Sequence, residues 1–181
     1  MFPPSPSAPQ GSLHRRLATL PEPVRIGLIG AGAMGKGLLY QCQITPGFKC
    51  VALADIALQK AIACAASMQL PYRIVRTVEE MQDAIRRNEL AVCEDGILVA
   101  GCTEVGVLIE ASSAIGEAGL YAVAALETGK HVGMMNAEAD LIFGAYLITR
   151  MRARQLAYTS CDGDQHGVLM RIIGDLQLWG F

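Results

Sequence analysis

Residues 25–35 read Arg-Ile-Gly-Leu-Ile-Gly-Ala-Gly-Ala-Met-Gly, which sets Gly30, Gly32 and Gly35 at G-x-G-x-x-G spacing behind an apolar run. The chemistry that suits this spacing is the cradling of a pyrophosphate. Gly30 permits a tight turn, Gly32 lets backbone approach the phosphates, and Gly35 allows a helix to pack closely on a strand. With Ala31, Ala33 and Met34 they form one loop whose N–H groups can face an anion at a helix start. Asp55 lies twenty positions after Gly35. A carboxylate there can accept hydrogen bonds from ribose hydroxyls and would repel a 2′-phosphate. Lys60, about one helical turn further on, relaxes that preference. The expected cofactor is NAD or NADP, with NAD favoured by Asp55. S-adenosylmethionine is the competing ligand, because methyltransferase domains also place glycines after a first strand and an acid after a second.

Three other groups of residues carry chemistry. Glu110-Ala111-Ser112-Ser113 ends a second apolar run. Ligands of parallel sheets bind at the carboxyl ends of strands, so Ser112 and Ser113 are expected near a nicotinamide, or else as caps of the next helix. In Gly129–Asp140, Asn136, Glu138 and Asp140 gather where a strand meets a helix. They either cap that helix and favour its positive end, or Asn136 and Glu138 point into a cleft as catalytic candidates. Lys130 and His131 fall at the opposite end of that strand and read as surface turn residues. In Ser160–Gly167, Asp164, Gln165 and His166 are candidates for acid–base work on a substrate, since imidazole titrates near neutrality. The alternative is a solvated loop with Asp164 as a helix cap.

These residues need elements to position them. Apolar runs predict strands at 24–29, 48–54, 90–93, 105–110, 131–135 and 156–160, with an extended segment at 71–76. Helical patterns lie between them at 33–43, 58–68, 78–87, 115–127 and 138–155, with a short turn at 96–101 and a last helix ending near 178. Thr77 followed by Glu80 is a capping box. A short helix at 13–20 stops at Pro21 and Pro23. Alternating strands and helices make an α/β fold, a doubly wound (Rossmann-type) parallel sheet with helices on both faces. Residues 1–23 are expected to be a flexible lead and 24–181 one dinucleotide-binding domain.

Composition narrows the function classes. The chain has 181 residues, 15 basic and 17 acidic side chains and 52% hydrophobic residues. That length suits one domain, and the near-zero charge excludes a basic nucleic-acid surface. No apolar run reaches the ~18 residues of a membrane span. The stretch from Ile97 to Ile109 is broken by Glu104, and no apolar segment follows Arg15-Arg16 to make a secretory signal. Six cysteines with no C-x-x-C read as reduced thiols of a cytoplasmic protein, and the three histidines are too scattered for a metal site.

The chain resembles the homoserine-dehydrogenase-like oxidoreductases that carry a C-terminal SAF domain, a group that includes 1-deoxy-D-xylulose 5-phosphate reductoisomerase-like enzymes. The resemblance runs from Val24 to the C-terminus. It rests on the glycine loop, on Gly129-Lys130-His131-Val132 leading into Met134-Met135-Asn136-Ala137-Glu138-Ala139-Asp140, and on Gly163-Asp164-Gln165 before Gly167. It implies NAD(P)-dependent hydride transfer on a small polar substrate, phosphorylated or not, and leaves room for a homo-oligomer. Departures are His166 where the family has Pro and Ser112-Ser113 where it has Thr-Gly. Glucose–fructose-oxidoreductase-like enzymes and true homoserine dehydrogenases place a lysine near Met135–Glu138, and none stands here, so their lysine mechanism does not carry over. Family members continue into a catalytic and dimerisation domain. The chain is therefore expected to be a cofactor half truncated before that domain. The alternative is a cofactor- or partner-binding module without turnover.

Overall fold

The computed structural model describes residues 13–160 and 166–180 of the chain. Strand β1 (Val24–Ile29) is the middle strand of a seven-stranded sheet in which every pairing is parallel. Beside it, β2 (Phe48–Ala54) leads outward to β4 (Leu90–Cys93) and the edge strand β3 (Tyr72–Ile74). On its other side, β5 (Val107–Glu110) leads to β6 (His131–Met134) and β7 (Tyr158–Ser160). The strands are apolar because both faces are covered, as parallel sheets require. The strand order therefore reverses between β1 and β5, and a crevice opens beyond their carboxyl ends.

Eight helices complete the described elements: α1 (Leu13–Ala18), α2 (Ala33–Ile44), α3 (Leu58–Ser67), α4 (Val78–Arg86), α5 (Gly96–Gly101), α6 (Ile115–Glu127), α7 (Ala137–Ala153) and α8 (His166–Leu178). Helices α2 and α3 cover one face of the sheet around Leu28, Leu39 and Leu53. Helices α4 to α7 cover the other around Leu108, Val132, Met134 and Leu147. Gly27 is needed within β1, since a Cβ there would stand 2.4 Å from a Val99 methyl of α5.

Thr77 caps α4, its Oγ1 accepting from Glu80 N at 3.2 Å, while Glu80 Oε2 accepts from Arg76 N at 2.7 Å. The reciprocal bond of the capping box thus falls one residue early. Several boundaries shift by a residue or two, and two strand starts move for clear reasons. The strand expected from 105 starts at Val107, because Val105 N and Gly106 N are taken by the carbonyls of Cys102 and Arg25 in a turn. The strand expected from 156 starts at Tyr158, because Gln155 adopts φ 57° to end the helix. The expectation for residues 1–12 lies outside the described residues. Among the described residues, no helix is long and apolar enough to cross a membrane.

Candidate functional site

The glycine loop joins β1 to α2 at the crevice. Gly30 has φ +100°, and a Cβ on it would lie 2.6 Å from the Ala111 carbonyl oxygen of the neighbouring loop. A Cβ on Gly35 would lie 1.8 Å from the carbonyl oxygen of Gly30, so the helix can approach the loop only without a side chain there. Gly32 is different: nothing stands within 4 Å of its added Cβ. It opens onto a cleft of about 410 Å³ lined by Gly30, Gly32, Ala33 and Met34 on one bank. Gly32 is also the N-cap of α2, and no side chain caps that helix. The first N–H groups of α2 lack intrahelical partners and carry the positive end of the helix dipole, which suits an anion.

Asp55, just beyond β2, lines the same cleft with Ile56 and Lys60. Its Oδ2 accepts from Ala31 N at 2.7 Å and its Oδ1 from Ala57 N at 2.9 Å. The carboxylate thus ties the glycine loop to the end of β2. A carboxylate has about four acceptor positions, so each oxygen keeps one for a ribose hydroxyl.

The opposite bank follows β5. Ser112, Ser113, Ala114 and, from α6, Glu117 and Tyr121 line it. Ser112 Oγ accepts from Ala114 N at 3.2 Å, which sets the loop into α6. Asn136 is buried beneath this loop rather than in the cleft lining. Its Nδ2 donates to the carbonyls of Ser112 (3.0 Å) and Ala114 (3.3 Å), while its Oδ1 accepts from Ala139 N as the cap of α7. Asn136 therefore holds the Ser112 loop in place. Glu138 is exposed on the first turn of α7 and does not line the cleft. Asp140 accepts a hydrogen bond from the Tyr158 hydroxyl at 2.6 Å. Asp164 and Gln165 lie outside the described residues, as does the side chain of His166, whose backbone begins α8.

Lys130 corrects the sequence reading. It is not a surface turn residue: it is 1% exposed, with Nζ donating to Thr128 Oγ1 at 3.1 Å. Burial holds its ammonium pKa below the usual value. Its tip thus finds a polar partner in the residue that caps the C-terminus of α6. His131 is exposed, as expected, and its Nδ1 accepts from Ala157 N. Five cysteines, Cys42, Cys50, Cys64, Cys93 and Cys102, are free and buried. Burial pushes the thiols of Cys42 and Cys93 up to about 11 and about 12. Among the described residues no His, Cys, Asp and Glu cluster could hold a metal ion.

Six cleft residues escaped the sequence reading: Ile56, Glu94, Gly96, Ala114, Glu117 and Tyr121. Glu94 directly follows a buried strand, the rule that found Asp55 and Ser112, and could have been read the same way. Glu117 and Tyr121 are four residues apart on one helix face. Glu110 was passed over as the end of a strand. It is fully buried, with Oε1 accepting from Ser112 N at 3.0 Å and Oε2 without a hydrogen-bond partner. Burial pushes its carboxyl pKa up, against the lowering effect of the Ser112 hydrogen bonds.

No model of a known family matches the sequence, and no curated protein does. Solved structures do match. A homoserine dehydrogenase from Thiobacillus denitrificans aligns at TM-score 0.59 and 20% identity over 76% of this chain and 29% of its own. A myo-inositol dehydrogenase from Lactobacillus casei, solved with NAD(H) and myo-inositol, aligns at TM-score 0.55 and 20% identity over 72% of this chain and 34% of its own. A 3-ketoreductase from Actinomadura kijaniata, solved with NADP, aligns at TM-score 0.62 and 17% identity over 88% of this chain and 45% of its own. The chain thus spans less than half the length of each of these three structures. At such identities the likeness is one of fold: the chain has the Rossmann-type α/β fold that these NAD(P)-dependent oxidoreductases also contain.

Proposed function

We infer that the chain is the dinucleotide-binding part of an NAD(P)-dependent oxidoreductase, with NAD favoured over NADP. The observation that carries this reading is the uncapped start of α2. Gly32 faces open cleft there while Gly30 and Gly35 are fixed by contact. A backbone cradle that no side chain fills suits a pyrophosphate. Asp55 beside it suits a ribose and disfavours a 2′-phosphate. The neighbours' bound NAD(H) and NADP support the same ligand class.

When bound, the nicotinamide supplies hydride transfer to or from a small polar hydroxy or carbonyl compound. In this reading the chain's own residues position it. The loop Gly30–Gly35 holds the phosphates, Asp55 the adenosine ribose, and Ser112 borders the second mononucleotide. Asn136 acts through Ser112 as a positioning residue. In this reading Glu138 stands toward the nicotinamide, and Asp164, Gln165 and His166 face the substrate. Residues 24–181 are then the cofactor half of a longer protein. The buried free thiols fit a cytoplasmic location. Exposed Leu141, Ile142 and Tyr146 on α7, with Leu169 and Ile173 on α8, fit a homo-oligomer, and light scattering over a concentration series tests it.

The test of function is a titration of the 181-residue protein with NADH and NADPH, followed by nicotinamide fluorescence. Saturable binding, tighter for NADH, is expected. Tighter NADPH binding would overturn the cofactor choice, and no binding of either by folded protein would favour a module without turnover.

A further inference from the structure

Helix α7 has two faces. Ala139, Gly144, Leu147 and Met151 are buried. On the opposite side Leu141 is 87% exposed, Ile142 61% and Tyr146 54%. Ala145 and Thr149 are exposed on the same side, and none of these five residues is charged. Charge stands at the two ends: Glu138 in the first turn, Arg150 and Arg152 in the last, all exposed. The Arg150 guanidinium lies over the Tyr146 ring, 5.9 Å from its centroid. Among the described residues, neither the Glu138 nor the Arg152 side chain has an ion-pair partner. The helix dipole accounts for an acid at one end and bases at the other. It does not account for three large apolar side chains left in water between them, a cost that contact with a partner removes. Glu138 and Arg152 lie seven residues before and seven after Ala145. All three share one face, since fourteen residues make close to four turns, about 21 Å. A second copy of the helix laid antiparallel about a twofold axis at Ala145 sets each Glu138 against the Arg152 of the other copy. Laid parallel, it would set acid against acid and base against base. Alanine at the crossing lets the two axes come within the usual separation of about 8–10 Å.

We propose that the exposed face of α7 pairs antiparallel with the same face of a second copy of this chain. Leu141, Ile142 and Ala145 form the centre of that interface, and Glu138–Arg152 ion pairs between copies close both of its ends. Such a self-complementary patch is what a twofold interface requires. This rests on the homo-oligomer reading above, to which it adds the face and the register. It does not depend on the cofactor, because Glu138 and the apolar stripe lie outside the cleft lining.

The test is a charge exchange, read by sedimentation equilibrium of the 181-residue chain over a concentration series at low salt. Glu138→Arg and Arg152→Glu are measured singly and as an equimolar mixture, with circular dichroism to show that each is folded. The native chain is expected to form dimers. Each single variant should associate about tenfold more weakly or worse, since like charges then meet at both ends of the pair. The mixture should recover the native affinity, because a dimer of one variant with the other has opposite charges at both ends. Leu141→Glu, at a position that the fold leaves exposed, should also dissociate the dimer and leave the urea unfolding midpoint of the monomer unchanged; it decides the face if a charge variant fails to fold. Weakening of both single variants without recovery in the mixture would overturn the antiparallel register. Native dimers that none of these substitutions weakens would overturn the α7 interface, leave the homo-oligomer reading standing and leave Glu138 to the nicotinamide side. A native chain that stays monomeric throughout would overturn that reading and the interface with it.

Discussion

The three motif glycines do different work, and single substitutions separate them. Gly35→Ala puts a methyl into the Gly30 carbonyl and should destabilise the fold by about 1–3 kcal/mol or more in urea unfolding. Gly32→Ala meets open space at a φ of −70°, so its unfolding midpoint should stay near the native value. Its cofactor affinity should fall about tenfold or more, because the methyl occupies the cradle. Equal effects of the two substitutions on binding and stability would contradict this division. Asp55→Ala should weaken NAD more than NADP, by about tenfold relative to it, since the lost bonds are charge-assisted. It also frees Ala31 N, so some loss for both cofactors is expected. A titration of the variant with both cofactors checks the ratio.

At the scale of elements, caps place the site. Thr77→Ala removes the N-cap side-chain bond of α4 and should cost about 1 kcal/mol by denaturant titration, with no change in cofactor binding. Asn136 joins two elements, so two substitutions are informative. Asn136→Ala loses the α7 cap and leaves the Ser112 and Ala114 carbonyls without their donor, a loss of about 1–3 kcal/mol. Asn136→Asp keeps the capping oxygen but sets a carboxylate against two carbonyls. It should weaken cofactor binding beyond what its stability loss explains, because the Ser112 loop borders the cleft. Equal binding by Asn136→Asp and native protein would remove Asn136 from the positioning role.

For the whole molecule, two buried ionisable groups set the pH dependence of stability. Glu110 has a raised carboxyl pKa, so its penalty is absent well below the unfolded value of 4.5 and complete once pH exceeds the folded value. Lys130 has a lowered pKa, so its penalty is complete below the folded value and disappears as pH rises toward 10.5. Both penalties apply near neutrality. Lys130→Met keeps the buried stem and removes the charge. It should raise stability by about 1 kcal/mol at pH 7, with the gain shrinking toward pH 10.5. Urea midpoints across pH measure this. A gain that does not shrink would mean that packing, not charge, carries the effect.

Local rules made much of this protein legible in its sequence. The strands are apolar because a parallel sheet is covered on both faces, and glycine spacing between a strand and a helix marks a tight turn. Those rules placed Gly30, Gly32, Gly35, Asp55 and Ser112 at the carboxyl edge, where they line one cleft. What they missed depends on contacts between distant segments. Lys130 looked like a turn residue, since its burial comes from the packing around it rather than from its neighbours in sequence. Glu110 looked like a strand end. Only the folded chain makes its carboxyl a fully buried group with one oxygen unpaired. The sequence by itself determined the alternation of elements and the glycine turn between β1 and α2, because both follow from local periodicity and backbone sterics. The tertiary structure alone decided the burial of Lys130 and the hydrogen bonds of Asn136 to the Ser112 and Ala114 carbonyls, because desolvation and hydrogen-bond partners exist only once distant segments meet.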